Sequence, residues 1–337
     1  MREKLGVSWL EFRARPDKKQ NANLVGAQLP TLAAVFRFRC PTCRDEEFEL
    51  SAPCGSCGKR FETRDGVIRA LEPTPEIQQF TQEYLEVRHA EGRGSESPDY
   101  YWSLPFAELD GQLGWQWKMR AQTFRFFERR ILKPIEAERK LNILDLGAGC
   151  GWLAYRMASR GHHAAAVDLL DDDLDGLGAA RHYAEKLDSM FPAIQAGFDD
   201  LPFSDSQFDL VVYNASFHYA ADYRETLREA RRCLSWGGKV VILDSPIYSS
   251  WHHGERMVEE RKLSFEQRYG FASDSLLSME YLDTGMIGTL ARDLNLSWKV
   301  HHPWYGLAWH MRPTIAKLKE RRPPSKFKIL VGSWAAS

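Results

Sequence analysis

Two groups of residues in this chain are spaced for chemistry. One is Asp145-x-Gly147-x-Gly149-x-Gly151, with a second acid at Asp168. Glycine at alternate positions lets the backbone turn sharply and lets a ligand approach where a Cβ would clash. A helix starting just beyond such a turn offers free N–H groups and positive potential. A carboxylate closing the next strand can accept both hydroxyls of a ribose. The other group is Cys40-Pro41-Thr42-Cys43 with Cys54-Gly55-Ser56-Cys57, two CxxC pairs ten residues apart. Each pair can present two thiolates to one tetrahedral ion. Four thiolates leave no open position, which describes a structural zinc site rather than a catalytic one.

Short elements must hold these residues. Leu141–Leu146 is an apolar run of strand length, Trp152–Arg160 has helical content closed by Gly161, and Ala164–Val167 is a second buried strand ending in Asp168. Around the cysteines, Phe48–Leu50, Phe61 and Gly66–Ile68 read as pieces of a zinc ribbon covering about 36–72. So small a unit buries too little apolar surface to stand alone, and its metal should supply much of its stability. Residues 1 to about 34 carry a weak signal, although Leu24–Phe38 can add a strand. Glu76–His89 is helical in pattern, residues 91–98 form a linker, and a helix is expected over 112–132. Asp171, Asp172 and Asp173 are placed to cap a helix from Leu177 to Leu187. A strand over Ser206–Asn214, a helix over Arg224–Leu234, a turn at Trp236–Gly238 and a strand over Lys239–Asp244 follow. Leu296–Val300 and Phe327–Val331 are expected as the last two strands.

The glycine spacing separates two cofactor classes. Dinucleotide sites use G-x-G-x-x-G; here the acid precedes the first glycine and every second residue is glycine. This resembles motif I of class I S-adenosylmethionine-dependent methyltransferases. Leu141–Asp244, ending in ARRCLSWGGKVVILD, resembles the motifs of that family in their order. The resemblance implies a Rossmann-like α/β fold with a seven-stranded sheet whose last strand, Phe327–Val331, is antiparallel, and S-adenosylmethionine as cofactor. It places Asp145, Gly147, Gly149 and Gly151 around the methionine part, Asp168 on the ribose and Leu169 against the adenine. It also brings Asn214, at the end of the fourth strand, beside the cofactor. Near Leu201-Pro202-Phe203, the family's adenine-binding acid position is held by Gly197. Either Asp199 or the backbone at Phe198 takes that contact. His218 and Tyr219, just past the fourth strand, are candidate catalytic residues, His218 as a base near neutral pH.

Three substrate readings stay open. Balanced charge, 45 Lys and Arg against 46 Asp and Glu, leaves no global footprint for nucleic acid. Aromatics crowd between Tyr100 and Phe127, either as core or as a lid in which Tyr100, Tyr101 and Trp102 touch substrate. A cap insertion at about 245–295 brings His252 and His253. These features favour O-, N- or C-methylation of a small molecule or carrier-bound metabolite. A ribosomal RNA base is the alternative, with the ribbon docking the enzyme, since the ribbon resembles those partnered with some rRNA guanine methyltransferases and residues 312–328 form a basic patch. A non-catalytic cofactor-binding scaffold, with the ribbon holding a protein partner, is the third. The implied organisation is 1–75 with the ribbon, 76–135 as helical linker or lid, and 136–337 as the methyltransferase domain. No apolar run reaches membrane-spanning length and the first twenty residues are charged throughout, so no membrane contact and a cytoplasmic location are expected. Six cysteines, four clustered, fit a reducing compartment.

Overall fold

The computed structural model describes residues 35–46, 48–50, 52–107 and 113–335. Of the strand expected at Leu24–Phe38, residues up to 34 lie outside the described residues; Phe38 makes isolated antiparallel bridges to Phe48 and Phe203. The chain divides into units 1–30 and 31–337, and only the second is described here.

Among the described residues eleven strands form in chain order: β1 (Glu62–Arg64), β2 (Val67–Arg69), β3 (Asn142–Leu146), β4 (His163–Asp168), β5 (Ala193–Gln195), β6 (Phe208–Asn214), β7 (Leu234–Leu243), β8 (Ile247–Tyr248), β9 (Leu282–Asp283), β10 (Leu296–His301) and β11 (Ile329–Trp334). Runs such as Ala164–Val167 and Leu210–Tyr213 are buried throughout. Continuous burial is what a parallel strand covered on both faces requires. The main sheet runs β1-β2-β5-β4-β3-β6-β7-β11-β10. Its last seven positions are the expected Rossmann-like α/β sheet, with β11 antiparallel to both neighbours.

The cysteine-bearing segment contributes the other two positions. Hairpin β1–β2 lies on the sheet's outer edge, with β2 parallel to β5 through Val67↔Ala193 and Ile68↔Ile194. Phe36, Phe38, Phe48 and Phe61 share one apolar cluster with Leu144, Ile194 and Phe203. Burying each phenylalanine stabilises the assembly by roughly 1.5–3 kcal/mol. The cysteine-bearing segment therefore draws its core from the sheet.

Nine α-helices among the described residues cover the sheet and its ends: α1 (Pro75–Ala90), α2 (Pro98–Ser103), α3 (Gly114–Phe127), α4 (Lys133–Glu136), α5 (Trp152–Ala158), α6 (Tyr223–Cys233), α7 (Trp251–Tyr269), α8 (Thr284–Asp293) and α9 (Leu307–Leu318). Three local expectations change. The helix over 112–132 is regular only to Phe127 and passes through a π-helical turn at Glu128–Leu132. The helix expected to reach Leu187 is a 3₁₀ segment, Leu177–Tyr183. Before it, Asp172 Oδ1 accepts from the amides of Leu174 and Asp175 and folds the chain into a turn. Trp236–Gly238 is not a terminating turn but a bulge inside β7, where the pairing jumps from Phe208↔Leu234 to Leu210↔Lys239 and Gly237 takes φ +76. The extra residues are accommodated because a bulge lets one strand carry more residues than its neighbour.

The cap begins after β7. Gly254 lets α7 sit directly on Tyr281, where a Cβ would lie 2.1 Å from the ring. Amides of Met279 and Glu280 donate to the carbonyls of Ala220 and His218, tying the cap to the chain beyond β6. Among the described residues no helix is long and apolar enough to cross a membrane.

Candidate active site

The glycine turn is a cradle closed by its surroundings. Gly147, Gly149 and Gly151 have φ of +69, +53 and +74. That left-handed region costs an L-residue roughly 1–2 kcal/mol. A Cβ on Gly147 would lie 2.2 Å from Ser216 Cβ, and one on Gly151 3.2 Å from the Phe191 ring. The amides of Gly147 and Ala148 donate to Val167 O, fixing the turn to the end of β4. Asp168 completes the hold: Oδ2 accepts from Gly149 N at 2.7 Å and Oδ1 from Leu170 N at 2.8 Å. A carboxylate has about four lone-pair sites, so two stay open for a ligand's hydroxyls. Burial raises the Asp168 pKa to about 6, against the pull of those two amides.

A cavity of about 310 Å³ opens at this turn. Gly147, Gly149, Asp168, Leu169, Phe198, Asp199 and Asn214 all line it. Asp199 Oδ1 accepts from Thr226 Oγ1 at 2.6 Å, leaving its other oxygen for a ligand. Gly197 also lines the cavity, and a Cβ there would meet nothing within 4 Å. The family's acid position is thus open space in this chain. Two of the expected residues act from behind the wall. Gly151 caps α5. Asp145 is buried, with Oδ2 accepting from Ala154 N at 3.2 Å and Oδ1 without a partner, and burial raises its pKa to about 8. Glycine cradle, strand-end acid and apolar Leu169 and Phe198 are the donor set and shape that S-adenosylmethionine needs.

A second cavity, about 430 Å³, adjoins the first. Phe80, Tyr84, Arg120, Ala215 and Tyr219 line both. Its roof comes from α1 and α7, and its floor from the chain leaving β6 and β7. There Ala215 and Asp244 both adopt left-handed backbone, at φ 58 and 49. Strain of this kind at neighbouring strand ends clusters at functional sites. Asp244 faces the second cavity; its Oδ1 accepts from Thr123 Oγ1 at 2.5 Å, and Thr123 in turn meets the Tyr305 hydroxyl at 2.8 Å. Burial raises the Asp244 pKa to about 6, while Thr123 and Arg120 pull it down. His218 lines the same cavity, with Nδ1 3.4 Å from Ser245 Oγ. Burial and the positive charge of Arg120, Arg88 and Arg261 lower its pKa to about 3. It is a neutral imidazole at pH 7 and a weak proton acceptor. Tyr219 stands between the cavities, its ring 6.0 Å from that of Tyr84.

Other expected substrate contacts are elsewhere. The Tyr101 hydroxyl donates to Leu174 O and Trp102 Nε1 donates to His182 O, so α2 packs against the 3₁₀ segment. Tyr100, Tyr101 and Trp102 border neither cavity. His252 stacks on the exposed Trp251 and His253 lies 3.4 Å from Ser249 Oγ, both on the first turn of α7 and outside the cavities.

The sulfurs of Cys40, Cys43, Cys54 and Cys57 lie within 4.8 Å of one another. Cys40–Cys57 and Cys43–Cys54 are 3.7 and 3.5 Å apart. Tetrahedral zinc at about 2.3 Å from sulfur places its ligands about 3.8 Å apart. The two knuckles repeat one backbone pattern: Cys40 N donates to Asp45 O and Arg44 N to Cys40 O, as Cys54 N does to Lys59 O and Gly58 N to Cys54 O. Arg44 and Gly58 both turn left-handed, at φ 64 and 72.

Arg88, Arg93, Arg120 and Asp244 are among the charged residues lining the second cavity, and the sequence did not single them out. Asp244 could have been found, since it closes β7 as Asp168 closes β4. The arginines lie in ordinary helical pattern on and beside α1 and α3, with no local signature.

Residues 144–242 match the family model described as a methyltransferase domain. Over 123 residues the chain is 32% identical to a demethylmenaquinone methyltransferase of Clavibacter sepedonicus, covering 36% of this chain and 47% of that one. Over 103 residues it is 33% identical to a sarcosine/dimethylglycine N-methyltransferase of Halorhodospira halochloris, covering 30% and 37%. It thus spans half or less of these curated relatives. Among solved structures, the YcgJ protein of Bacillus subtilis aligns with TM-score 0.46 and 14% identity, over 61% of this chain and 97% of that one.

Proposed function

We propose that this chain is an S-adenosylmethionine-dependent methyltransferase acting on a small-molecule or carrier-bound acceptor. The observation that carries it is the pair of adjoining cavities at the carboxyl ends of β3, β4, β6 and β7, one shaped by a glycine cradle and the other walled by side chains. Open α/β sheets place ligands at this edge. The matched methyltransferase segment and the two relatives, named for a quinone and for amino-acid acceptors, support the same reading.

Bound S-adenosylmethionine supplies an electrophilic methyl. Gly147 and Gly149 would hold the methionine part, Asp168 the ribose, and Leu169 with Phe198 or Asp199 the base. Tyr84, Tyr219 and Ala215 border the passage where donor and acceptor meet. Holding two reactants there in a fixed geometry replaces a bimolecular encounter. Asp244, poised near pH 6, is matched to remove a proton from an acceptor oxygen or nitrogen. The four cysteine thiolates would hold a structural zinc ion, which would steady the segment paired to β5 and supply no part of the transfer chemistry.

Calorimetric titration with S-adenosylmethionine tests the cofactor site. Micromolar binding to the wild type, lost at least tenfold in Asp168→Ala, is expected. Equal affinity in both proteins overturns the placement, and no binding to either overturns the function.

A further inference from the structure

Four arginines face the second cavity, and three are engaged. Arg88 meets Asp175 at 3.3 Å. Arg93 meets Glu91 and the Gln116 side-chain carbonyl, each at 2.7 Å. Arg261 meets Glu280 at 2.8 Å. Arg120, on α3, has no hydrogen bond or ion pair among the described residues. Its guanidinium rests over the Trp117 ring, 4.9 Å from the centroid, and lines both cavities where they join. A half-buried guanidinium without a hydrogen-bond acceptor is unfavourable, because the water it gives up is offset only by the Trp117 face and by the charges of Asp244 and Asp175, neither of which it touches. Neighbouring Arg88 and Arg93 add to that cost.

We propose that Arg120 receives an anionic oxygen group of the acceptor, a carboxylate or a phosphate, in the second cavity. The planar fork suits either group in a bidentate pair, and Trp117 holds the fork in place. The acceptor is then an organic anion, anchored at the passage with its nucleophilic atom directed toward the first cavity. This rests on the methyl-transfer reading. The same chemistry has a second source, the carboxylate of the cofactor's methionine part, and the test separates the two.

Wild type, Arg120→Gln and Arg120→Lys are titrated with S-adenosylhomocysteine. The saturated proteins are then titrated with malonate and with inorganic phosphate. The proposal expects Arg120→Gln to bind S-adenosylhomocysteine within about twofold of wild type, to lose at least tenfold in affinity for malonate or phosphate, and to melt no lower. Arg120→Lys should keep part of the anion affinity, since it keeps the charge and loses the fork. A tenfold loss of S-adenosylhomocysteine affinity in Arg120→Gln assigns Arg120 to the cofactor and overturns the proposal. So does a wild type that binds neither anion, or anion binding that Arg120→Gln leaves unchanged. Failure of the wild type to bind S-adenosylhomocysteine would instead sink the methyl-transfer reading, and anion binding is then measured on the free protein.

Discussion

The two cavities share a wall and are built by opposite means. The first is mostly backbone: a glycine turn, two amides on Asp168 and the ends of β3, β4 and β6. Its cradle comes from one stretch, Gly147 to Leu170, and the rest of its lining from α1, α3, the chain beyond β5 and β6, and the cap. The second is mostly side chain, gathered from α1, α3, the ends of β6 and β7, and the cap. A backbone cavity can be specified by a short motif and tolerates change around it. A side-chain cavity is free to vary residue by residue, and that is where an enzyme sets its acceptor.

The contrast can be attacked from either side. The largest effect is expected in the second cavity. Asp244→Asn should lower kcat/KM by about 10²–10³-fold, within the range for losing a general base. The carboxyl must be ionised to accept a proton, so wild-type kcat/KM should rise with pH through about 6 and level above it. The variant should show no such inflection. A rate profile unchanged by the substitution would remove Asp244 from the chemistry. Next comes Gly147→Ala. Its Cβ would displace Ser216 and sit on left-handed backbone, so S-adenosylhomocysteine affinity should fall by roughly 100-fold, the equivalent of about 3 kcal/mol. A tenfold or smaller loss would mean that the cradle yields easily. Chelation, or Cys54→Ser, should lower Tm by roughly 10 °C and weaken cofactor binding as well, because β2 is paired to β5. Loss of thermal stability with cofactor affinity intact would separate ribbon from sheet. The smallest effect is expected at His218. With its pKa held at about 3, His218→Gln should leave the pH profile between 5 and 9 in place and change kcat less than about threefold, below what a general base supplies.

The same contrast explains what could be read in advance. Gly147, Gly149, Asp168, Leu169, Phe198, Asp199 and Asn214 come together in the cavity because each is fixed by its place in a strand-turn-helix-strand order. The last two strands were legible from the runs at 296–300 and 327–331, and the antiparallel sense of the second from the family resemblance. The second cavity left almost no trace, since Tyr84, Arg120 and Asp244 meet only after 160 residues of chain have folded. Tyr100–Trp102 drew attention as part of an aromatic cluster, yet Tyr101 donates to Leu174 O and Trp102 to His182 O, which turns α2 toward the 3₁₀ segment and its approach. The bulge at Gly237 looked like a turn because Trp-Gly-Gly carries the same composition in both settings.

One consequence of the hairpin beside β5 concerns how this protein can be divided. Cutting near residue 75 to obtain a minimal catalytic fragment would strip β2 from Ala193–Gln195 and leave a bare edge strand. It would also uncover the face that Phe36, Phe38, Phe48 and Phe61 now shield. An unpaired edge beside newly wet apolar surface is a template for self-association. A fragment that keeps this edge of the sheet covered must retain the stretch from Phe36 to Arg69.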